Sequence, residues 1–139
     1  MRVVIDTVVF VRALMNSGSI SGVLLDRAPE FTILTSDQLR KEVMEVVQRP
    51  ELQRRLTRMA DLPPVDRVIA YLSTAIIVPE HATVAVCRDP KDDKFFACAA
   101  AGDADYIVSE DDDVLAIAEY EGARTIRAAA FLELLDAAR

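Results

Sequence analysis

The sequence predicts an α/β fold built on a mainly parallel sheet. Short apolar runs alternate with longer stretches of helical period. Two of those runs, Val3-Val4-Ile5 and Tyr106-Ile107-Val108, are apolar throughout, as strands covered on both faces are. Acidic residues fall just beyond them, Asp6 after the first and Asp111 after the second. In a parallel sheet the loops at the carboxyl ends of the strands form one crevice, and ligands bind there.

Taken in order, strands are expected near 2–6, 31–35, 75–79, 105–109 and 124–127. Asp6 closes the first, and Val8, Val9 and Phe10 begin the next apolar segment. Asn16-Ser17-Gly18-Ser19 reads as a loop before a short helix from Ile20 to Ala28. Thr35 and Gln38 have capping-box spacing at the start of a helix over 36–48. The following stretch carries Arg49, Arg54, Arg55, Arg58 and Arg67, which reads first as a solvated helix face and second as a local RNA-facing track. Pro63-Pro64 starts another helix, with Val65, Val68, Ile69 and Leu72 on one face. Asp89-Pro90 places an N-cap before a proline at the first helical position, and that helix should run to Ala101 and stop at Gly102. A last helix, about 128–138, should bury Phe131, Leu132 and Leu135.

Composition narrows the class. A chain of 139 residues fits one domain and needs neither disulfides nor structural zinc to fold. Hydrophobic residues make up 52% and charged residues 28%, which fits a soluble globular protein rather than a disordered one. No apolar run approaches the ~20 residues of a membrane span. Met1-Arg2 leads straight into a strand, leaving no room for a signal peptide, so a cytoplasmic protein with no membrane partner is expected. Cys87 and Cys98 form no zinc pattern and read as small buried side chains. With His81 as the single histidine, histidine-ligated metal and Ser-His-Asp chemistry are disfavoured. The net charge of −7 opposes generic nucleic-acid binding, so any RNA-facing surface must be local.

The acids then single themselves out. Leu39, Val43 and Val46 define a stripe on their helix, and Glu42 lies on its border while Glu45 points away. An acid against an apolar face needs a partner or a route to water. Asp89 and Asp92 read as a cap and a first-turn acid, which the helix dipole favours. Asp93 shares a face with Phe96, Ala97 and Ala100 that should look inward. In the run Ser109-Glu110-Asp111-Asp112-Asp113, Asp111 and Asp113 are spaced to approach one cation while Asp112 faces solvent. A carboxylate cluster in the crevice repels itself unless a cation holds it, which points to a divalent metal and phosphodiester chemistry. An all-oxygen site of this kind suits Mg²⁺ or Mn²⁺.

Together these residues resemble the PIN-domain family, in particular its bacterial toxin-like (VapC-type) branch. Val3-Val4-Ile5-Asp6-Thr7 is similar to the opening strand and first aspartate. Ser36 to Pro50, with Leu39, Glu42 and Arg49-Pro50, is similar to the glutamate helix. The stretch from Cys87 to Phe95 is similar to the one supplying the third acid. Ala104 to Leu115 is similar to the fourth-strand motif, and Phe131-Leu132 to the closing helix. The resemblance implies a three-layer α/β/α sandwich with about five strands and a metal-dependent endoribonuclease. It also implies a toxin held by a cognate antitoxin, and a homodimer. Carried over by position, the catalytic acids are Asp6, Glu42, Asp93 and Asp111. The expected metal ligands are Asp6, Asp93, Asp111 and Asp113, with Asp6 and Asp111 direct. Ser109 matches a small hydroxyl residue before the acidic turn.

Three positions depart from the family pattern. Val8 replaces an asparagine two residues after the first aspartate, removing a polar group that could orient Asp6 or a metal-bound water. Glu110 replaces a glycine and adds a negative charge beside the site. Arg12 stands where a small residue is common and is a candidate for phosphate contact or for pairing with an acid. The alternative function is therefore a catalytically weakened PIN domain acting as an RNA- or antitoxin-binding module. A phosphoaspartate protein fits less well, because no second acid stands at position 8 and no lysine follows Lys94. A purely structural role for the acids must treat four matching positions as coincidence.

Overall fold

The computed structural model describes residues 1–56, 64–79 and 84–139; Arg58, Pro63 and His81 lie outside them. The first apolar run forms β1 (Arg2–Ile5), and helix α1 (Thr7–Met15) follows at once. Next come α2 (Ile20–Asp26), β2 (Thr32–Thr35), α3 (Asp37–Val47), α4 (Pro50–Leu56), α5 (Pro64–Leu72) and β3 (Ile76–Ile77). The second half runs α6 (Asp93–Ala101), β4 (Tyr106–Val108), α7 (Asp112–Leu115), β5 (Glu119–Tyr120), β6 (Ala123–Ile126) and α8 (Ala128–Ala137).

The strands form one six-stranded sheet in the order β3-β2-β1-β4-β6-β5. Every pairing is parallel except β5 with β6. Period-two alternation sends neighbouring side chains to opposite faces. Val3 and Ile5 pack with Phe10, Leu14, Leu24 and Phe131 on one side. Val4 packs with Leu34, Phe95, Phe96 and Val114 on the other. Two apolar layers on one sheet make the three-layer α/β/α sandwich, with a sixth strand supplied by the two-residue β5. Among the described residues, no single helix is long and apolar enough to cross a membrane.

Several elements differ from expectation for identifiable reasons. The first strand ends at Ile5 because Asp6 is the N-cap of α1, its side chain accepting from the Val8 amide at 3.2 Å. The cap of α3 is Ser36, which accepts from Leu39 N–H at 3.2 Å, while Thr35 is the buried last residue of β2. The helix expected from Pro90 begins as a 3-10 turn over Pro90–Asp92 and becomes α-helical at Asp93. Gly102 does end α6, with φ −100, so no left-handed conformation is involved. Its glycine is explained by packing: a Cβ there would lie 2.7 Å from the Leu34 side chain. On α5, Val68 is buried but Ile69 is exposed beside Met44 and Ile77.

Candidate active site

The order of the strands places a crevice at one position. The chain lays β1, β2 and β3 outward in one direction, then returns to set β4 against the other side of β1. The carboxyl ends of β1 and β4 therefore flank the switch point of the sheet, where open α/β folds bind ligands. Asp6 follows β1, and Ser109 and Asp111 follow β4.

Asp6 is buried, and both of its carboxylate oxygens have donors. Oδ1 accepts from the Val8 amide, and Oδ2 accepts from the Ser109 hydroxyl at 2.7 Å. Burial raises the Asp6 pKa; those two hydrogen bonds oppose it, and the charges of Glu42 and Asp111 push it further up. Ser109, itself fully buried, also accepts from the Asp111 amide at 3.0 Å. One hydroxyl thus joins the two strand ends and fixes how the first and last acids face each other.

Asp111 caps α7, accepting from the Asp113 amide at 2.8 Å. Asp112 is exposed, as expected, and its carboxylate pairs with Arg127 at 2.8 Å. Glu110, expected to add charge to the site, is turned to α8 instead. Its Oε1 accepts from the Ala128 amide at 2.9 Å, and Oε2 pairs with Arg127 at 3.2 Å. It satisfies a free N–H at the start of α8, where Arg127 makes no side-chain cap.

Glu42 does find the partners its position demands. It is half-buried, while Glu45 is exposed. Oε2 accepts from the Thr7 hydroxyl, and Oε1 pairs with Lys94 Nζ at 2.5 Å. The Lys94 side chain is 11% exposed, and its ammonium lies 5.5 Å from the centroid of the Phe95 ring.

The third acid is the main rearrangement. Asp93 Oδ1 accepts from the backbone amides of Val86 and Cys87 at 3.0 and 2.8 Å, and these bonds hold its pKa below the usual range. It clamps the preceding loop. Its neighbour Asp92 lines the crevice. Burial pushes the Asp92 carboxyl up to about 6, reinforced by Asp111, Asp6 and Asp89 and partly offset by Lys94. Cys87, half-buried behind Asp93, is pushed up to about 12, first by burial and then by Asp93 and Asp92, so it is a neutral thiol.

Asp6, Glu42, Asp89, Asp92 and Asp111 line one cleft of about 320 Å³, and Asp93 does not. Arg49, Lys91 and Lys94 stand among them, and Val8, Val11, Val46 and Phe95 supply apolar wall. Asp113 and the exposed Arg12 are not part of the lining. As the side chains stand, no three Asp, Glu, His or Cys residues among those described converge on one point tightly enough to hold a metal ion. The sequence reading missed Asp92, Thr7, Lys94 and Lys91, while Arg49 reads second as part of an RNA-facing track. For Asp92 a signal existed: proline at position 90 permits a tight 3-10 start, in which the residue is not an ordinary first-turn acid. For Lys94 there was none, since only the tertiary fold brings it to Glu42.

Comparison with known proteins follows the same span. A family model described as a PIN domain matches residues 2–113, from β1 through the acids after β4. The chain is 32% identical over 118 residues to the uncharacterized protein MJ1680 of Methanocaldococcus jannaschii, a match covering 84% of this chain and 74% of that protein. No solved structure gives a significant match.

Proposed function

Since the chain belongs to the PIN-domain family, whose members are in general nucleases, we propose that it is a metal-dependent endoribonuclease hydrolysing RNA phosphodiester bonds. The observation that carries this reading is the gathering of Asp6, Asp92, Asp111 and Glu42 in one cleft at the switch point of the sheet. The donor set is all oxygen and mutually repelling, which fits Mg²⁺ or Mn²⁺. Mg²⁺ keeps several waters and takes only one or two carboxylates directly, so three converging side chains are not required. Asp6 and Asp111 are the ligands we assign, with Asp92 taking the third role in place of Asp93.

When bound, such a cation lowers the pKa of a water and neutralises charge developing on the phosphate. The protein's own groups do the rest. Ser109 and the Val8 amide hold the Asp6 carboxylate in one orientation. Arg49 and Lys91, at the cleft, are placed to take phosphate oxygens and offset the acids that would repel an RNA backbone. Asp113 and Arg12 act at most from outside the cleft.

The test is cleavage of a mixed-sequence single-stranded RNA with Mn²⁺, with Mg²⁺ and with EDTA, alongside Asp6→Asn and Asp111→Asn. Cleavage that requires metal and disappears in both variants is expected. Undiminished cleavage by either variant removes that residue from the mechanism.

The toxin role, the cognate antitoxin and the homodimer belong to this proposal through the resemblance to the toxin-like branch. Growth arrest on expression of the wild type but not of Asp6→Asn tests the first of these. A second reading, a weakened domain that binds RNA or antitoxin without cutting, is favoured by one feature. Val8 is 46% exposed on the cleft wall, where a polar side chain would reach the site. A large gain of cleavage in Val8→Asn marks a weakened enzyme.

A further inference from the structure

We propose that Lys94 occupies the place of a second divalent cation, so that the cleft takes one metal ion, on the carboxylates that Lys94 leaves unpaired, Asp6 and Asp111 first among them. The inference deepens the metal-dependent reading above and rests on it. Two-ion hydrolytic sites hold their ions ~3.5–4 Å apart, each stabilising one of the oxygens that change charge. Here Glu42 already has a cation. Lys94 Nζ is 2.5 Å from Glu42 Oε1, and the other oxygen of Glu42 accepts from the Thr7 hydroxyl.

This lysine is not a surface side chain that swings aside. It is 11% exposed, and its ammonium rests 5.5 Å from the Phe95 ring centroid. It stands between acids, since it acts on Asp92 as well as pairing with Glu42. A divalent ion entering at Glu42 has to displace the ammonium and sit beside its positive charge. A lysine offers three N–H donors and no Lewis-acid position, so it can bind a phosphate oxygen but cannot activate water. Water activation would then fall to the single ion that Asp6 and Asp111 would hold.

The experiment is a Mn²⁺ titration of the full chain, with free Mn²⁺ followed by electron paramagnetic resonance and folding checked by circular dichroism. The wild type is expected to bind one ion. Lys94→Arg keeps a cation and should also bind one. Lys94→Met removes the charge at similar length and frees Glu42, and should bind two. Two ions on the wild type, or one on a folded Lys94→Met, overturn the inference. Glu42→Gln serves as an independent check if Lys94→Met fails to fold: its stoichiometry should stay at one, and loss of all binding in it overturns the assignment. No binding to the wild type overturns both this inference and the metal-dependent reading. Two ions together with metal-dependent cleavage overturn this inference alone.

Discussion

The buried Ser109 hydroxyl donates to buried Asp6 Oδ2 at 2.7 Å and accepts from the amide of the exposed Asp111 at 3.0 Å, linking two neighbouring strand ends. Ser109→Ala removes both bonds and leaves a buried carboxylate oxygen without its donor. A loss of about 1–3 kcal/mol in stability is expected. Because Asp6 is then held by the Val8 amide alone, RNA cleavage should also fall by about 10–100-fold. Urea unfolding and initial cleavage rates check the two effects separately; a variant as stable and as active as wild type shows that Asp6 needs no such support.

Asp92 and Asp93 are adjacent yet should behave oppositely. Asp92 is raised to about 6 by burial and by neighbouring acids, so its ionised form works against the fold. Asp92→Asn should therefore raise the thermal midpoint in EDTA and shrink the further rise produced by Mn²⁺. Asp93→Ala loses the two bonds to the Val86 and Cys87 amides and should cost about 1–3 kcal/mol with or without metal. Thermal scans of both variants in the two buffers decide it, and the same response from both would reverse the assignment.

Glu110→Gly separates helix capping from site chemistry. The glutamate bonds the Ala128 amide and pairs with Arg127, so its loss should cost about 1 kcal/mol through α8. Cleavage by the folded variant should stay within about twofold of wild type, well under one kcal/mol in barrier. A large gain of activity would instead mean that the charge of Glu110 is felt in the cleft.

Glu30 gives a dependence on pH. It pairs with Arg27 at 2.7 Å and with Arg139 at 3.2 Å, and Arg27 reaches on to Asp136 in α8 at 2.7 Å. The Glu30 carboxyl is held down to about 2 from its ordinary 4.5, first by Arg27 and then by Arg139. A folded pKa below the unfolded one means stabilisation that is complete above about 4.5 and lost as pH falls through about 2. Glu30→Gln should thus unfold at lower urea than wild type near neutral pH, with the gap closing near pH 2. A gap of constant size across that range would show that the charge of Glu30 contributes nothing.

Much of this was legible from the chain because the informative residues sit under strong constraint. β1 and β4 are covered on both faces, so they read as unbroken apolar runs. Helix α1 did not read as a helix, because Val8-Val9-Phe10-Val11 is a continuous apolar, β-branched run of the kind that suggests a strand. α7 and β5 have four and two residues, too few to show a period. Asp6, Glu42 and Asp111, which line one cleft, were singled out from their places beside strands and on a helical stripe. Asp92 was set aside as a first-turn acid that the helix dipole explains, and Lys94 was lost to the absence of any sequence mark for a contact between distant segments.

Asp6 and Asp111 each start a helix, α1 and α7, by accepting the amide two residues on. Charge in the crevice and the local order of the chain are thus written on the same oxygen atoms. An inactive version made by truncating either aspartate to alanine confuses a lost reaction with a frayed helix. Asparagine keeps one oxygen for the capping amide and discards the charge; at position 6 it also puts an NH2 donor where Ser109 now donates, but it leaves the helix start intact, which makes it the more informative knockout at both positions.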